Sequence, residues 1–383
     1  MNDITIDKTG WKKWRFDEVC RQVNTSSKDP VTDGLDHVIG LEHIEPGNLH
    51  ITKWDTLEKE TTFTRKFVKG QVLFGRRRAY QRKVAYAEFD GICSGDILVF
   101  EAIEKNLIPE LLPFLIQSDG FFEKALATSA GSLSPRTKFK ELADYEFLLP
   151  PKSEQKRLAE LLWAADEMIE KEKRSFKLIE NLYFSIILSI FSNQKKYCDL
   201  GALCYIKSGF AFPLKYQGHK DMPIPFFKVS DMNNISNKYE MQVSENYVNE
   251  SILKSIKGQV FPVGSLVFPK IGATIHTDKK RLLDIESIVD NNIMVLIPNK
   301  ELLNPYFLFY FFNTFKLADI INTGAVPTIS AETVRSIQIP ELDIEEQKNI
   351  VKEIDSIVIT MKKQEQLVGQ SQQVKLALIN KMF

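Results

Sequence analysis

Apolar residues recur at alternating spacings of four and three through "EQKRLAELLWAADEMIEKEKRSFKLIENLYFSIILSIF" (Glu154 to Phe191): Leu158, Leu162, Ala165, Ile169, Phe176, Ile179, Tyr183, Ile186 and Ile190. That spacing predicts the seam of a coiled-coil helix, interrupted only at Glu172. A second stretch, "EQKNIVKEIDSIVITMKKQEQLVGQSQQVKLALINKMF" (Glu346 to Phe383), keeps the same frame with Ile350, Ile354, Ile357, Met361, Val368, Leu378 and Met382, and its Gln364 stands in the slot of Glu172. Both stretches open with Glu-Gln-Lys and close on Phe, 192 residues apart without a gap. Neither contains proline, so each is expected to run unbroken. Ser153 is the expected N-cap of the first helix, and Asp343 with Glu346 forms a capping-box pattern for the second.

The segments before each helix also match. "KGQVLF" at Lys69 answers "VGSLVF" at Val263, "DILVF" at Asp96 answers "NIMVL" at Asn292, "IPELLPFL" at Ile108 answers "NPYFLFYF" at Asn304, and "VIGLEHI" at Val38 answers "FFKVSDM" at Phe226. Short apolar runs mixed with helical runs that open on proline predict an α+β class. The chain is thus a repeat: a globular unit over 1–150, a helix over 151–194, a second unit over 195–340 and a second helix over 341–383. Two helices with matching seams can pair antiparallel, giving an internal pseudo-twofold coiled-coil spacer between two like domains. A helix of 38 residues spans ~57 Å, which corresponds to at most about 17 base pairs of duplex DNA. Two like domains on such a ruler suit two half-sites at a fixed spacing.

Composition narrows the partners. Among 383 residues, 50 basic and 50 acidic side chains cancel, so polyanion binding has to be local. One segment is local in that sense: Thr61 to Ala87 has no Asp or Glu and carries Arg65, Lys66, Lys69, Arg76, Arg77, Arg78, Arg82 and Lys83. The first residues lack an apolar signal core, and the run Pro305 to Phe312 is too short for a membrane span, so a cytoplasmic chain with no membrane partner is expected. Cys20, Cys93, Cys198 and Cys204 form no CxxC, and the five histidines are scattered, so no metal site is expected.

This order of units, with "IGLEHI" and "LFGRRRAYQRKVAYAEFDGICSGDILVF" in the first and "LVFPKIGATI" in the second, closely resembles the specificity subunit of type I restriction-modification enzymes along essentially the whole chain. The resemblance implies two target recognition domains that read the halves of a split DNA site. It implies long helices that set the spacing and dock two methyltransferase subunits, with restriction subunits recruited through them. It further implies no chemistry in this chain, with S-adenosylmethionine, ATP and magnesium used only by the partners. The two units here differ in sequence, so their half-sites are expected to differ.

On that footing Arg76, Arg77, Arg78, Tyr80, Arg82 and Lys83 become candidates for bases or phosphates. In the second unit the equivalent loop offers Lys270, Thr274, His276, Thr277, Lys279, Lys280 and Arg281, and "SPRTKFK" (Ser134 to Lys140) adds Arg136 and Lys138 as phosphate contacts. The competing account of these charges is a solvated strand edge that discourages aggregation. For the helices, Leu158, Leu162, Ile169, Phe176, Ile179, Ile186, Ile350, Ile354, Met361 and Val368 are the expected pairing and partner-docking positions. An enzyme is disfavoured because the chain holds neither a Walker loop nor a glycine-rich cofactor loop, and "NPYF" at Asn304 lacks the second proline of the methyltransferase motif. A coiled-coil scaffold without DNA specificity, or a subunit serving methylation alone, remain the alternatives.

Overall fold

In each half of the chain a strand that is apolar on both faces sits between two layers of side chains. The structure, a computed structural model, describes residues 6–58, 61–131, 133–322 and 324–383. In the first half, Ile97–Ala102 lies inside an antiparallel sheet of order Cys20–Val23, Ile97–Ala102, Val72–Gly75, Val84–Tyr86. Its side chains alternate: Leu98 and Phe100 join Phe74, Phe16 and Phe121 in one core, while Ile97 and Val99 join Leu73 and Ile39 in another. The second half repeats this with Ile293–Pro298 against Leu266–Pro269, Met294 and Leu296 facing one core and Ile293 and Val295 the other. Burial on both faces explains why these strands read as continuous apolar runs.

The other landmarks of the repeat also fold alike. Val38–Ile39 leads into a tight helical turn over Leu41–His43, and Ile224–Phe227 leads into one over Val229–Asn233. The Gly40 amide donates to His43 Nδ1 at 2.9 Å, and the Lys228 amide donates to Asp231 Oδ2 at 2.6 Å, so the same bond closes both turns. Proline opens the next helical segments at Pro109 and Pro305. A two-stranded ribbon ties the start of each half to its end, Lys12–Arg15 with Glu146–Leu149 and Tyr197–Asp199 with Gln338–Pro340.

The two long helices are continuous, Lys152–Ser192 and Ile344–Met382, and are called here the central and the C-terminal helix. The second starts on the expected box: the Glu346 amide donates to Asp343 Oδ1 at 2.8 Å and the Asp343 amide to Glu346 Oε2 at 3.1 Å. The first differs from expectation. It begins at Lys152, directly after Pro150 and Pro151, so Ser153 lies within the first turn and does not cap it.

The chain divides into two compact units, 1–174 with 365–383 and 175–364, each taking part of both helices. In the first unit the helix segments run antiparallel, with Asp166 meeting Lys375 and Glu172 meeting Ser371. Of the expected seam, Leu158, Leu162, Ile169, Ile354 and Met361 are buried and Phe176, Ile179, Ile186, Ile350 and Val368 are half-buried. Past Tyr183 the buried positions are Ile187 and Phe191, one residue later than the strict frame places them. There the helix face packs on a globular core as well as on its partner helix, so it follows the 3.6-residue period of a straight helix, which drifts from a heptad. One window of the central helix is long and apolar enough to cross a bilayer by length and composition. Its Tyr183, Ile187 and Phe191 lie in the core of the second unit, while Leu178, Leu182, Phe184 and Leu188 are exposed.

The glutamine of each Glu-Gln-Lys triplet fixes its helix to its domain. Gln155 is 2% exposed; its Oε1 accepts the Ile108 amide at 3.0 Å, and its Nε2 donates to the carbonyls of Pro150 at 3.0 Å and Asn106 at 3.2 Å. Gln347 accepts the Asn304 amide at 2.8 Å and donates to the carbonyls of Leu302 at 2.8 Å and Leu342 at 3.0 Å. Leucine at either place would fill the space and strand three backbone groups, each costing about 1–3 kcal/mol when buried without a partner. Gln155→Leu and Gln347→Leu are each expected to lower stability by about 3 kcal/mol or more, read as a drop in the urea midpoint without a change in slope. An unchanged midpoint would show that the glutamines are incidental.

Candidate nucleic-acid interface

The basic stretch of the first half forms a loop whose backbone is held from three sides. The Arg76 amide donates to the Asp96 carbonyl at 3.0 Å, the Arg78 amide to the Pro135 carbonyl at 2.9 Å, and the Thr137 amide to the Arg76 carbonyl at 3.2 Å. Arg77 and Arg136 face each other as an antiparallel bridge. Two sequence patches expected separately, the arginine run and "SPRTKFK", therefore come together. A short helical turn, Ala79–Gln81, follows, flanked by Arg78 and Arg82 in left-handed conformation with φ of 53° and 52°. Left-handed backbone costs an ordinary residue roughly 1–2 kcal/mol.

The side chains are unequal in what they leave free. Asp96 gathers a cluster: Arg136 binds it through Nε at 2.6 Å and Nη2 at 3.1 Å, and Arg77 Nη1 stands 3.5 Å away while also donating to Ser134 Oγ. The Arg136 hydrogen bonds hold the Asp96 carboxyl below its ordinary value, against the opposing effect of burial. Arg76 points inward, where burial and the charge of Arg65 lower its pKa, and its buried Nε has no hydrogen-bond partner among the described residues. Arg82 binds Asp119 at 2.6 Å, donates to the Gln117 carbonyl at 3.1 Å and stacks on Phe122. Lys83 donates to the Leu41 carbonyl at 2.6 Å. Arg82 and Lys83, expected as contacts, thus also brace the loop from within. Arg78, Tyr80 and Lys138 make no side-chain hydrogen bond or ion pair among the described residues, and Tyr80 is 58% exposed.

The second half uses the same backbone. The Lys270 amide donates to the Asn292 carbonyl at 2.9 Å, the Gly272 amide to the Pro327 carbonyl at 2.8 Å, and Ile271 bridges Thr328. A turn over Gly272–Thr277 follows and closes on Asp278, again left-handed at 52°. Matching these bonds pairs Arg76 with Lys270, Arg77 with Ile271, Arg78 with Gly272, Asp96 with Asn292 and Arg136 with Thr328. The scaffold is kept, and of its charges only that of Arg76 survives, as Lys270.

Several expected contacts in this half are taken up internally. Lys280 is 3% exposed, bound to Asp278 at 2.9 Å and to the Phe315 carbonyl at 2.6 Å, and burial lowers its pKa. Arg281 donates to the carbonyls of Asn237 and Lys280. Both, expected as contacts, are thus engaged within the domain. The hydroxyls of Thr274 and Thr277 cap backbone carbonyls of their own turn, Lys270 reaches Ser208 Oγ at 2.6 Å, and Lys279 bonds Asn233. His276 is exposed at the tip, two residues before its left-handed cap, as Tyr80 is two before Arg82.

One polar centre escaped the sequence, where His50 looks like a lone structural histidine. His50 bridges Glu88 Oε1 at 2.9 Å and Asp166 Oδ2 at 2.8 Å, and Asp166 Oδ1 binds Lys375 at 2.5 Å. Asp166 and Lys375 lie on the two long helices at buried places that the heptad pattern gives no reason to notice. Hydrogen bonding to Asp166 raises the His50 pKa from 6.5 to about 9. Burial pushes Asp166 up, but its bonds to His50 and the charge of Lys375 outweigh this and hold it low. Glu42, His43 and Asp55 also lie together with metal-ligand chemistry, His43 Nδ1 being already engaged by the Gly40 amide.

The His50 shift sets a pH dependence. Its folded pKa lies above its ordinary 6.5, so its contribution is complete below that pH and is lost as pH rises through about 9. Asp166 has the opposite sign: its contribution holds above its ordinary value and fades as pH falls below it. Thermal melts between pH 6.5 and 9 are expected to lose stability faster for the native chain than for His50→Gln; parallel curves would remove His50 from the account.

The model of the type I restriction modification DNA specificity domain matches residues 8–181 and again 193–368. The EcoDI specificity subunit of Escherichia coli is 26% identical over 190 residues, 48% of this chain and 42% of that protein. The MjaIX specificity subunit of Methanocaldococcus jannaschii is 22% identical over 57% of this chain and 55% of its own length. The chain therefore spans about half the length of these curated relatives. Two solved structures share the fold: one described as underlying complex assembly and conformational transition of the type I restriction-modification system, with a TM-score of 0.59 at 19% identity over 97% of both chains, and the specificity subunit from M. genitalium, with 0.56 at 14% identity over 100% of this chain and 97% of that one. With each repeat matched in turn over most of its length, the chain belongs to the type I restriction modification DNA specificity domain family.

Proposed function

We propose that this chain is the DNA-recognition subunit of a type I restriction-modification system. It binds an asymmetric two-part site with a fixed gap, catalyses nothing itself, and carries methyltransferase subunits, and through them restriction subunits, to that site. The observation that carries this is the pair of loops with one backbone and two sets of side chains. Arg76, Arg77, Arg78, Asp96 and Arg136 answer Lys270, Ile271, Gly272, Asn292 and Thr328. A kept scaffold with changed chemistry suits two domains that read different bases. The contact set narrows to Arg78, Tyr80, Lys138 and His276, with Arg77, Arg136, Lys270 and Lys279 lining the same loops.

The partners would supply the chemistry, using S-adenosylmethionine, ATP and magnesium held in their own chains. Exposed apolar side chains on the long helices, among them Leu161, Met168, Leu178, Leu182 and Ile359, offer the docking surface such partners need. The helices would then both set the gap and recruit the enzymes.

Co-expression with a DNA adenine methyltransferase partner, followed by mapping of methylated bases in the host genome, is expected to give a split motif with two unlike halves and a constant gap. Binding should also weaken steeply with salt as counterions return to the phosphates. A stable complex that methylates no defined motif and shows no salt slope would instead support a scaffold without DNA specificity.

A further inference from the structure

We propose that Arg78 is the residue of the first domain that reads a base, a role that rests on the DNA-recognition function proposed above. The first support is elimination among its neighbours. Arg65 donates to the carbonyls of Gly95 and Ile97, Arg77 is held by Ser134 and Asp96, Arg82 by Asp119 and Gln117, and Arg136 by Asp96. Arg76 is drawn inward. Of these arginines only Arg76 and Arg78 make no side-chain hydrogen bond or ion pair among the described residues, and the Nε of Arg76 is buried, which leaves Arg78.

The second support comes from the backbone and is independent of the first. Arg78 sits at φ 53° and ψ 57°, a conformation that glycine adopts freely and that arginine resists. Its counterpart Gly272 has φ 73° and makes the same bond, amide to proline carbonyl, at 2.8 Å against 2.9 Å. The turn is therefore built in the second domain with no side chain at this place. Arg82 shares this backbone but is held by Asp119 and the Gln117 carbonyl, whereas Arg78 stands where the second domain builds the same turn on glycine and is not required by the turn. The planar fork of arginine pairs with O6 and N7 of guanine in the major groove. Exposed Tyr80, two residues along, leaves that side of the loop open to a duplex.

The test uses the full-length chain purified with its methyltransferase partner and selection from duplexes of random sequence. The native complex is expected to enrich a two-part motif with guanine in one half. Arg78→Gly should lose about ten-fold or more of the discrimination at one base pair of that half, leave the other half untouched, and melt no lower, since glycine suits the φ. Arg78→Lys should lose the same discrimination while keeping affinity for unrelated DNA, because it retains the charge and not the fork. An unchanged motif in Arg78→Gly overturns the proposal and leaves the recognition role standing. Uniform weakening across all sequences, with a salt slope shallower by about one, makes Arg78 a phosphate contact and overturns base reading. A native complex that enriches no motif overturns both.

Discussion

Everything that a repeat of domain and helix can do depends on how firmly each helix is held where it leaves its domain. Gln155 and Gln347 supply that hold. Each is a neutral side chain with one acceptor and two donors, and each spends them on three backbone groups from two segments: one amide and one carbonyl just before the proline-opened helix, and one carbonyl at the end of the domain. A buried amide in this position fixes direction as well as distance, because the bonds work only near one geometry. An apolar residue would bury as well without selecting an angle.

On that fixed frame the loops are free to differ. The bonds from residue 76 to residue 96 and from 78 to 135 recur from 270 to 292 and from 272 to 327, and all of them use main-chain atoms. Because the frame asks nothing of the side chains, the first domain can place an arginine cluster about Asp96 where the second has Ile271, Asn292 and Thr328. Charge therefore distinguishes the domains while their backbones match. This is how one fold can present two chemistries.

How much of this the sequence discloses follows from which interactions carry a period. The repeat, the helices, the apolar strands and the capping box at Asp343 are all written in spacing, and they are legible. Seam positions are legible until Tyr183, after which the helix packs on a globular core as well as on its partner helix and Ile187 and Phe191 take over. The loops are legible only as charge. Nothing in "GRRRAYQRK" or "HTDKKRL" tells Arg78 from Arg82, or His276 from Lys280, because the difference lies in distant acceptors such as Asp119, the Leu41 carbonyl and the Phe315 carbonyl. The His50 centre is least legible, since its members stand 38, 116 and 209 residues apart in its three bonds.

That centre also bears on why a repeated chain does not confuse its halves. Lys375 occupies the place in the C-terminal helix that Tyr183 occupies in the central one, 192 residues earlier, and Val358 stands where Asp166 does. In the first unit Lys375 meets Asp166 and His50; in the second Tyr183 meets Asn313, and Tyr310 meets Asp355. An ammonium placed in the tyrosine's seat would find Val358 where it needs a carboxylate, and a buried charge without its partner costs several kcal/mol. The reverse exchange would leave Asp166 without Lys375. Two seats built from the same fold are thus made chemically exclusive, and each helix end has one domain on which it can rest.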